Sequence, residues 1–182
     1  DCYELENVYI PQGLEYIYFS AFYGSDKVVL NVAKGTYAEE FANANGIKHT
    51  TREFIYRAIA SGECGEDVTW EFYENGELRI CGHGQMMNYT SYKQQPWANY
   101  RHLIKKIVIG ADVTSIGNFA FAYSQNVESI EFEVGSKLER IGMLAFINLP
   151  KVNEVTLPDT VTYLGAYAFG DCYELESVYI PQ

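Results

Sequence analysis

Positive charge is scarce in this sequence. Thirteen Lys and Arg stand against 24 Asp and Glu, a formal net charge of −11. Nothing in such a chain neutralises a run of phosphates, which excludes a nucleic acid partner. Long apolar runs are missing too, although 48 % of the residues are hydrophobic. No stretch approaches the roughly 18–20 residues of a spanning helix, so no membrane insertion is expected within this segment. There are three His and four Cys. No Cys-x-x-Cys pair and no His/Cys spacing suits zinc, and no cofactor is expected. The four cysteines do not make a disulfide scaffold. Cys2 and Cys172 open two copies of one phrase and read as small core residues, while Cys64 and Cys81 flank a hairpin and either bridge it or stay thiols. Catalytic groupings are equally thin. Cys81-Gly82-His83-Gly84 sets a thiol near an imidazole, but without an evident orienting acid. Glu63, Glu66 and Asp67 are a loose carboxylate cluster that reads as a solvated turn rather than a calcium loop. The sequence therefore points away from an enzyme.

What is abundant is repetition. The phrase V-T-S-I-G-N-F-A-F (113–121) returns as L-E-R-I-G-M-L-A-F (138–146) and V-T-Y-L-G-A-Y-A-F (161–169). Each leads into a strand signal: V-E-S-I-E-F (127–132), V-N-E-V-T-L-P (152–158) and L-E-S-V-Y-I-P (175–181). The Phe of each A-F pair falls at 121, 146 and 169, a period of 25 and then 23 residues. The two extra residues sit in E-V-G-S-K-L-E-R, where a surface turn can absorb them. Self-similarity at this period marks a solenoid whose coils bury their apolar faces only against their neighbours. Phe121, Phe146 and Phe169 are expected to form one fully buried column, and Ile116, Ile141 and Leu164 another.

The rest of the chain reads as the ends of such arrays. Residues 1–12 match 171–182 at eleven of twelve positions, and 14–22 supply a further A-F phrase with Tyr18 in place of Gly. Opening inside a repeat, the chain looks like a segment of something longer, and the lack of a leader says nothing about secretion. V-V-L-N-V (28–32) predicts a strand, and 34–48 a short amphipathic helix. In that helix Thr36 is the expected N-cap, with Glu39 three residues on and a stop at Asn45-Gly46. Tyr37, Phe41 and Ala44 are expected to share its face. V-T-W-E-F-Y, E-N-G-E and L-R-I-C-G (68–82) predict a β-hairpin with Asn75-Gly76 as a type I′ turn. Its Trp70, Phe72, Leu78 and Ile80 are expected over the first coil, near Ile107 and Ile109. The segment 97–104 predicts one or two helical turns, and K-K-I-V-I-G (105–110) the first solenoid strand. This gives residues 1–49 as the last coil and cap of one array, 50–60 as a linker, and 61–182 as the hairpin-capped start and coils of another.

The phrase V-T-x-I-G-x-x-A-F followed by C-x-x-L-x-x-V-x-I-P resembles the BspA-like (Treponema pallidum type) leucine-rich repeat. Residues 61–86, Pro96-Trp97 and 107–110 resemble the lead-in of such domains in gut Firmicutes, and 32–47 their usual last coil. Departures are Tyr18 for Gly, Cys81 where a small residue is commoner, and Tyr123-Ser124 for Gly-Cys. The resemblance implies a mainly β leucine-rich-repeat solenoid with short helices, a hairpin cap before it and a cap helix after it. It also implies an extracellular or cell-surface bacterial protein that binds a protein or glycan on host or neighbouring cells.

Alternation along the strands predicts which side chains face out. The outward pairs are Ser129/Glu131, Glu154/Thr156 and Ser177/Tyr179, with Asn7/Tyr9 in the N-terminal copy and Lys106/Val108 on the first coil. At a spacing of about 4.8 Å per coil they are expected to form one continuous ladder, either a recognition face or an ordinary solvated sheet. Head-to-tail self-association is a further expectation. Residues 13–48 of one copy would then extend the coils of the next, as in a fibre or stalk. Alternatively, residues 51–60, reaching about 33–36 Å when extended, would let a chain complete its own stack.

Overall fold

The computed structural model describes residues 5–11, 13–52 and 56–180. The chain divides into two compact units, Asp1–Ile55 and Tyr56–Gln182. In the first unit, β1 (Asn7–Tyr9), β2 (Val29–Ala33) and β3 (His49–Arg52) form a parallel sheet in that order, with α1 (Tyr37–Ala44) between β2 and β3 in sequence. Leu30 and Val32 point inward from β2 and are fully buried beside Ile10 and Ile17. The helix buries Ala38, Phe41 and Ala42, whereas Tyr37 and Ala44 are exposed. The inward stripe is thus rotated by one residue from the expected face. The capping also differs. Thr36 is the N-cap residue, but its hydroxyl donates to the Ala33 carbonyl (2.7 Å), and the Glu39 carboxylate accepts from the Gly35 amide (2.6 Å). The reciprocal bonds of a capping box are therefore replaced by bonds that reach back into the preceding turn.

The second unit is a coil stack with two ladders. Along one side run β4 (Ala58–Glu63), β5 (Val68–Tyr73), β6 (Glu77–Gly82), β8 (Lys106–Ile109) and β10 (Ser129–Phe132), in the spatial order β10-β8-β6-β5-β4. A separate pair, β12 (Glu154–Thr156) and β14 (Ser177–Tyr179), belongs to the later coils. The other side carries β7 (Gly84–Gln85), β9 (Val113–Ile116), β11 (Arg140–Ile141) and β13 (Tyr163–Leu164) as a parallel ladder. Of the stretch 50–60, read as an extended or strand-like linker, residues 50–52 end β3 and residues 58–60 begin β4. Among the described residues no helix is long and apolar enough to cross a membrane.

Between β5 and β6 the turn departs from type I′. Gly76 donates to the Tyr73 carbonyl (2.9 Å) and takes φ +86°, which closes a three-residue loop, and Asn75 Oδ1 accepts from the Glu77 amide (3.1 Å). A bulged loop of this kind needs only one left-handed residue, and glycine supplies it. Trp70, Phe72, Leu78 and Ile80 are buried as expected, but they lie beside the first coil rather than over it. Strand β6 hydrogen-bonds edge to edge with β8, Leu78 opposite Ile107 and Ile80 opposite Ile109. Because the hairpin extends the sheet, its apolar face becomes one more layer of the same core.

Down the middle of that core runs an aromatic column. The rings of Phe121 and Phe146 stack at 5.2 Å, and those of Phe146 and Phe169 at 5.1 Å. Trp97 adds a fourth ring, stacked on Phe121 at 5.5 Å. Phe121, Phe146, Ile116 and Ile141 are buried, but Phe169 is half-buried and Leu164 is 42 % exposed. The expected full burial therefore fails in the last described coil. A coil buries its apolar side chains against both neighbours, and within this unit no described coil follows 161–180. Two left-handed residues shape each coil: Phe119, Leu144 and Tyr167 at φ 54–57°, and Tyr123, Asn148 and Asp171 at φ 53–62°. In the first unit the place of Tyr123 is taken by Gly24 at φ +77°.

Candidate functional site: the outer strand face

Register carries the outward side chains across the sheet in rows. Glu77, Lys106 and Ser129 form one row, and Arg79, Val108 and Glu131 the next. Glu154 lies opposite Ser177, and Thr156 opposite Tyr179. The continuous ladder is not realised. Strands β10 and β12 share no ladder pairing, and Asn7 and Tyr9 belong to the first unit, beside Val29 and Asn31. The interruption falls on the one coil of 25 residues, from Phe132 to Leu157. Its turn holds Val134, fully exposed, and Gly135 at φ +77°.

At that interruption lies a groove of about 410 Å³. It is lined by Glu128, Ser129, Glu131, Asn153, Glu154 and Thr156, together with Ile130 and Phe132. Four of the eight sequence-predicted residues, Ser129, Glu131, Glu154 and Thr156, are thus brought together. Ser177 and Tyr179 stand on the adjacent strand, Tyr179 64 % exposed.

Electrostatics divide the face. Lys106 Nζ lies 2.7 Å from Glu131, and Arg79 bridges Glu77 (2.8 Å) and Glu133 (2.9 Å). Those carboxylates are neutralised locally, though exposed pairs of this kind contribute only about 0–1 kcal/mol each. Glu128 and Glu154 have no ion-pair partner among the described residues, so the groove keeps unpaired negative charge. Val108 faces outward as expected but is buried, flanked in register by Arg79 and Glu131. Arg79, Glu128 and Asn153 were not singled out from the sequence. The alternation that placed Leu78 and Ile80 inward also turns Arg79 outward, once the hairpin is seen as the next strand of the sheet.

The thiol and imidazole near the hairpin do not form a nucleophilic pair. His83 Nε2 stands 3.6 Å from Asp67, both exposed. Burial pushes the Cys81 thiol up from its ordinary value, the reverse of what an attacking thiolate needs. Cys64 and Cys81 are free rather than bridged. Cys81 is half-exposed in register with outward-facing Thr69, while Cys64 is buried in the core, so the two side chains lie on opposite faces. Burial pushes the Cys64 thiol up to about 12. Iodoacetamide at pH 8 should therefore spare Cys64 in the native protein and modify it only after unfolding, as peptide mass mapping would read. Rapid native labelling of Cys64 would contradict this packing. Cys172, expected in the core, is half-buried with Sγ 3.3 Å from the Phe146 carbonyl, and Cys2 lies outside the described residues. Among the described residues no three His, Cys, Asp or Glu side chains converge as a metal site.

The BspA type leucine rich repeat family matches residues 1–47 and 97–182 in six copies, well over half of the chain. The chain belongs to this family. The matched residues include Trp97, Phe121, Phe146 and Phe169 of the aromatic column. Three solved structures are similar to it. One is a leucine-rich repeat protein from Eubacterium ventriosum, 16 % identical over 68 % of this chain and 44 % of that one, with a TM-score of 0.46. Another is a leucine rich cell surface protein from Faecalibacterium prausnitzii, 16 % identical over 69 % of this chain and 44 % of that one, TM-score 0.39. The third is the T. pallidum leucine rich repeat protein, 21 % identical over 64 % of this chain and 70 % of that one, TM-score 0.35. The chain thus spans under half the length of the first two. No curated protein matches it.

Proposed function

We propose that the chain belongs to a non-enzymatic recognition protein at a bacterial surface, and that it binds a macromolecule through the outer strand face of the second unit. The single observation that supports this reading most is the groove between β10 and β12. Ladder pairing stops there, and Glu128, Ser129, Glu131, Glu154 and Thr156 line one concavity beside the exposed Tyr179. The Faecalibacterium protein, a leucine rich cell surface protein, agrees with a surface location. Tyrosine suits such a face because it offers a rigid amphipathic contact at low entropic cost.

Immobilised protein screened against extracellular-matrix proteins and glycans tests this reading. The double variant Glu131→Ala, Tyr179→Ala should lose at least about tenfold in affinity for whatever the parent binds, with unchanged thermal unfolding. Binding that survives both changes would reject the face.

A second reading, head-to-tail stacking into a fibre, is favoured by the match between residues 1–12 and 171–182. In such a stack coil 13–33 would follow coil 161–180, and Tyr18 would take the place that Gly142 and Gly165 hold. A Cβ at those glycines meets preceding-coil backbone at 2.6 and 2.4 Å. Tyr18 counts against this reading, and recognition is the one we favour.

A further inference from the structure

In the second unit, the carbonyls of Ile116 and Ile141 accept from the next coil's Gly142 and Gly165 amides (2.9 and 2.8 Å). Ile17 holds the same repeat position in the first unit, and its carbonyl instead accepts from the Tyr37 hydroxyl on α1 (3.5 Å). Helix α1 thus stands on the side where a following coil would lie. Between it and residues 16–19 a groove of about 430 Å³ is left, lined by Tyr16, Phe19, Tyr37 and Phe41 together with Glu40 and Asn45. Because this is the following side of coil 13–33, a preceding coil would not fill it.

The rings form a connected surface. Tyr16 and Tyr37 lie nearly parallel at 6.4 Å, and Tyr37 meets Phe41 at 6.4 Å and 41°. Tyr16 and Phe19 are 66 % and 73 % exposed. The Glu39 carboxylate is occupied by the Gly35 amide and the Asn45 amide nitrogen by the Phe41 carbonyl, but the Glu40 carboxylate has no hydrogen-bonded or ionic partner among the described residues. Several aromatic faces beside one free carboxylate are complementary to a cation with an apolar shell. The second unit shows the same preference internally. Arg140 and Tyr163 occupy the repeat position of Tyr16, and the Arg140 guanidinium sits 3.9 Å over the Tyr163 ring. The first unit has the rings but places no cation on them among the described residues.

We infer that the groove between residues 16–19 and α1 binds a trimethylammonium headgroup of the choline type. The methyl groups would lie against Tyr16, Tyr37 and Phe41, with the Glu40 carboxylate alongside. This site is separate from the outer strand face, so the failure of either leaves the other standing.

The test is ligand-observed saturation-transfer NMR with choline and its neutral isostere 3,3-dimethylbutan-1-ol, titrated into the full chain. Choline should bind in a saturable way, and the isostere, which lacks only the charge, about tenfold more weakly. Glu40→Gln should weaken choline part of the way toward the isostere while leaving the isostere unchanged, since the attraction of the cation to the rings remains, and Tyr16→Leu, at an exposed position that folding tolerates, should weaken both. Equal binding of choline and isostere would make the groove merely apolar and overturn the inference. So would binding unchanged in Tyr16→Leu, no binding of choline, or saturation by a neutral oligosaccharide that choline does not displace.

Discussion

Phe146→Ala is expected to cost about 3–5 kcal/mol in urea unfolding, the range for emptying a large aromatic site in a close-packed core. The ring is fully buried and stacked on both faces, by Phe121 at 5.2 Å and Phe169 at 5.1 Å. Each of those pairs contributes about 0.5–1.5 kcal/mol beyond the area it buries. Since coils are stabilised by nearest neighbours, amide exchange should quicken in β9 and β13 alike, on both sides of the cavity. Phe169→Ala should cost clearly less, because that ring is half-buried and stacks on one described neighbour. Equal losses at the two sites would mean that the column is not the source of the stability.

Gly117→Ala is expected to be nearly as damaging for the opposite reason. A Cβ at Gly117 would lie 1.8 Å from the Met87 carbonyl oxygen and 2.7 Å from its carbon, both backbone atoms that cannot rotate away. The coil at 113–121 would have to move off the backbone at Met87 and Asn88, at a cost at or above the top of the roughly 1–3 kcal/mol usual for overpacking. Two controls separate space from conformation. Gly13→Ala meets no atom within 4 Å and has an ordinary φ, so it should be neutral to within about 0.5 kcal/mol. Gly135→Ala also meets nothing, but at φ +77° it should cost about 1–2 kcal/mol from backbone strain alone. A melting temperature for Gly117→Ala no lower than that for Gly135→Ala would contradict the coil contact.

Much of this was legible in the sequence. The period placed Phe121 and Phe146, alternation placed Leu78 and Ile80, and the V-T-x-I-G-x-x-A-F phrase pointed to the family. Missed features share a physical cause. Trp97 reads as belonging to a helical turn because its neighbours lack the A-F phrase, yet it stacks on Phe121 as the column's fourth ring. Left-handed Phe119, Leu144 and Tyr167 carry no local mark, since none is a residue that favours that conformation. The site was half visible. Ser129, Glu131, Glu154 and Thr156 follow from alternation, but the break between β10 and β12 does not. A two-residue insertion can be absorbed in a turn or can push neighbouring strands apart, and only three-dimensional packing decides between them. The aromatic groove of the first unit was hidden similarly. Tyr37 was expected on the buried face of its helix, and a one-residue rotation leaves it exposed.

The central claim is that the outer strand face carries recognition, and hydrogen–deuterium exchange of the chain with a captured ligand bound tests it most directly. The account predicts added protection centred on 128–132 and 153–156, extending to 177–179 and leaving β9, β11 and β13 on the opposite side unchanged. Protection confined to the β9, β11 and β13 side, or to neither ladder, would contradict it.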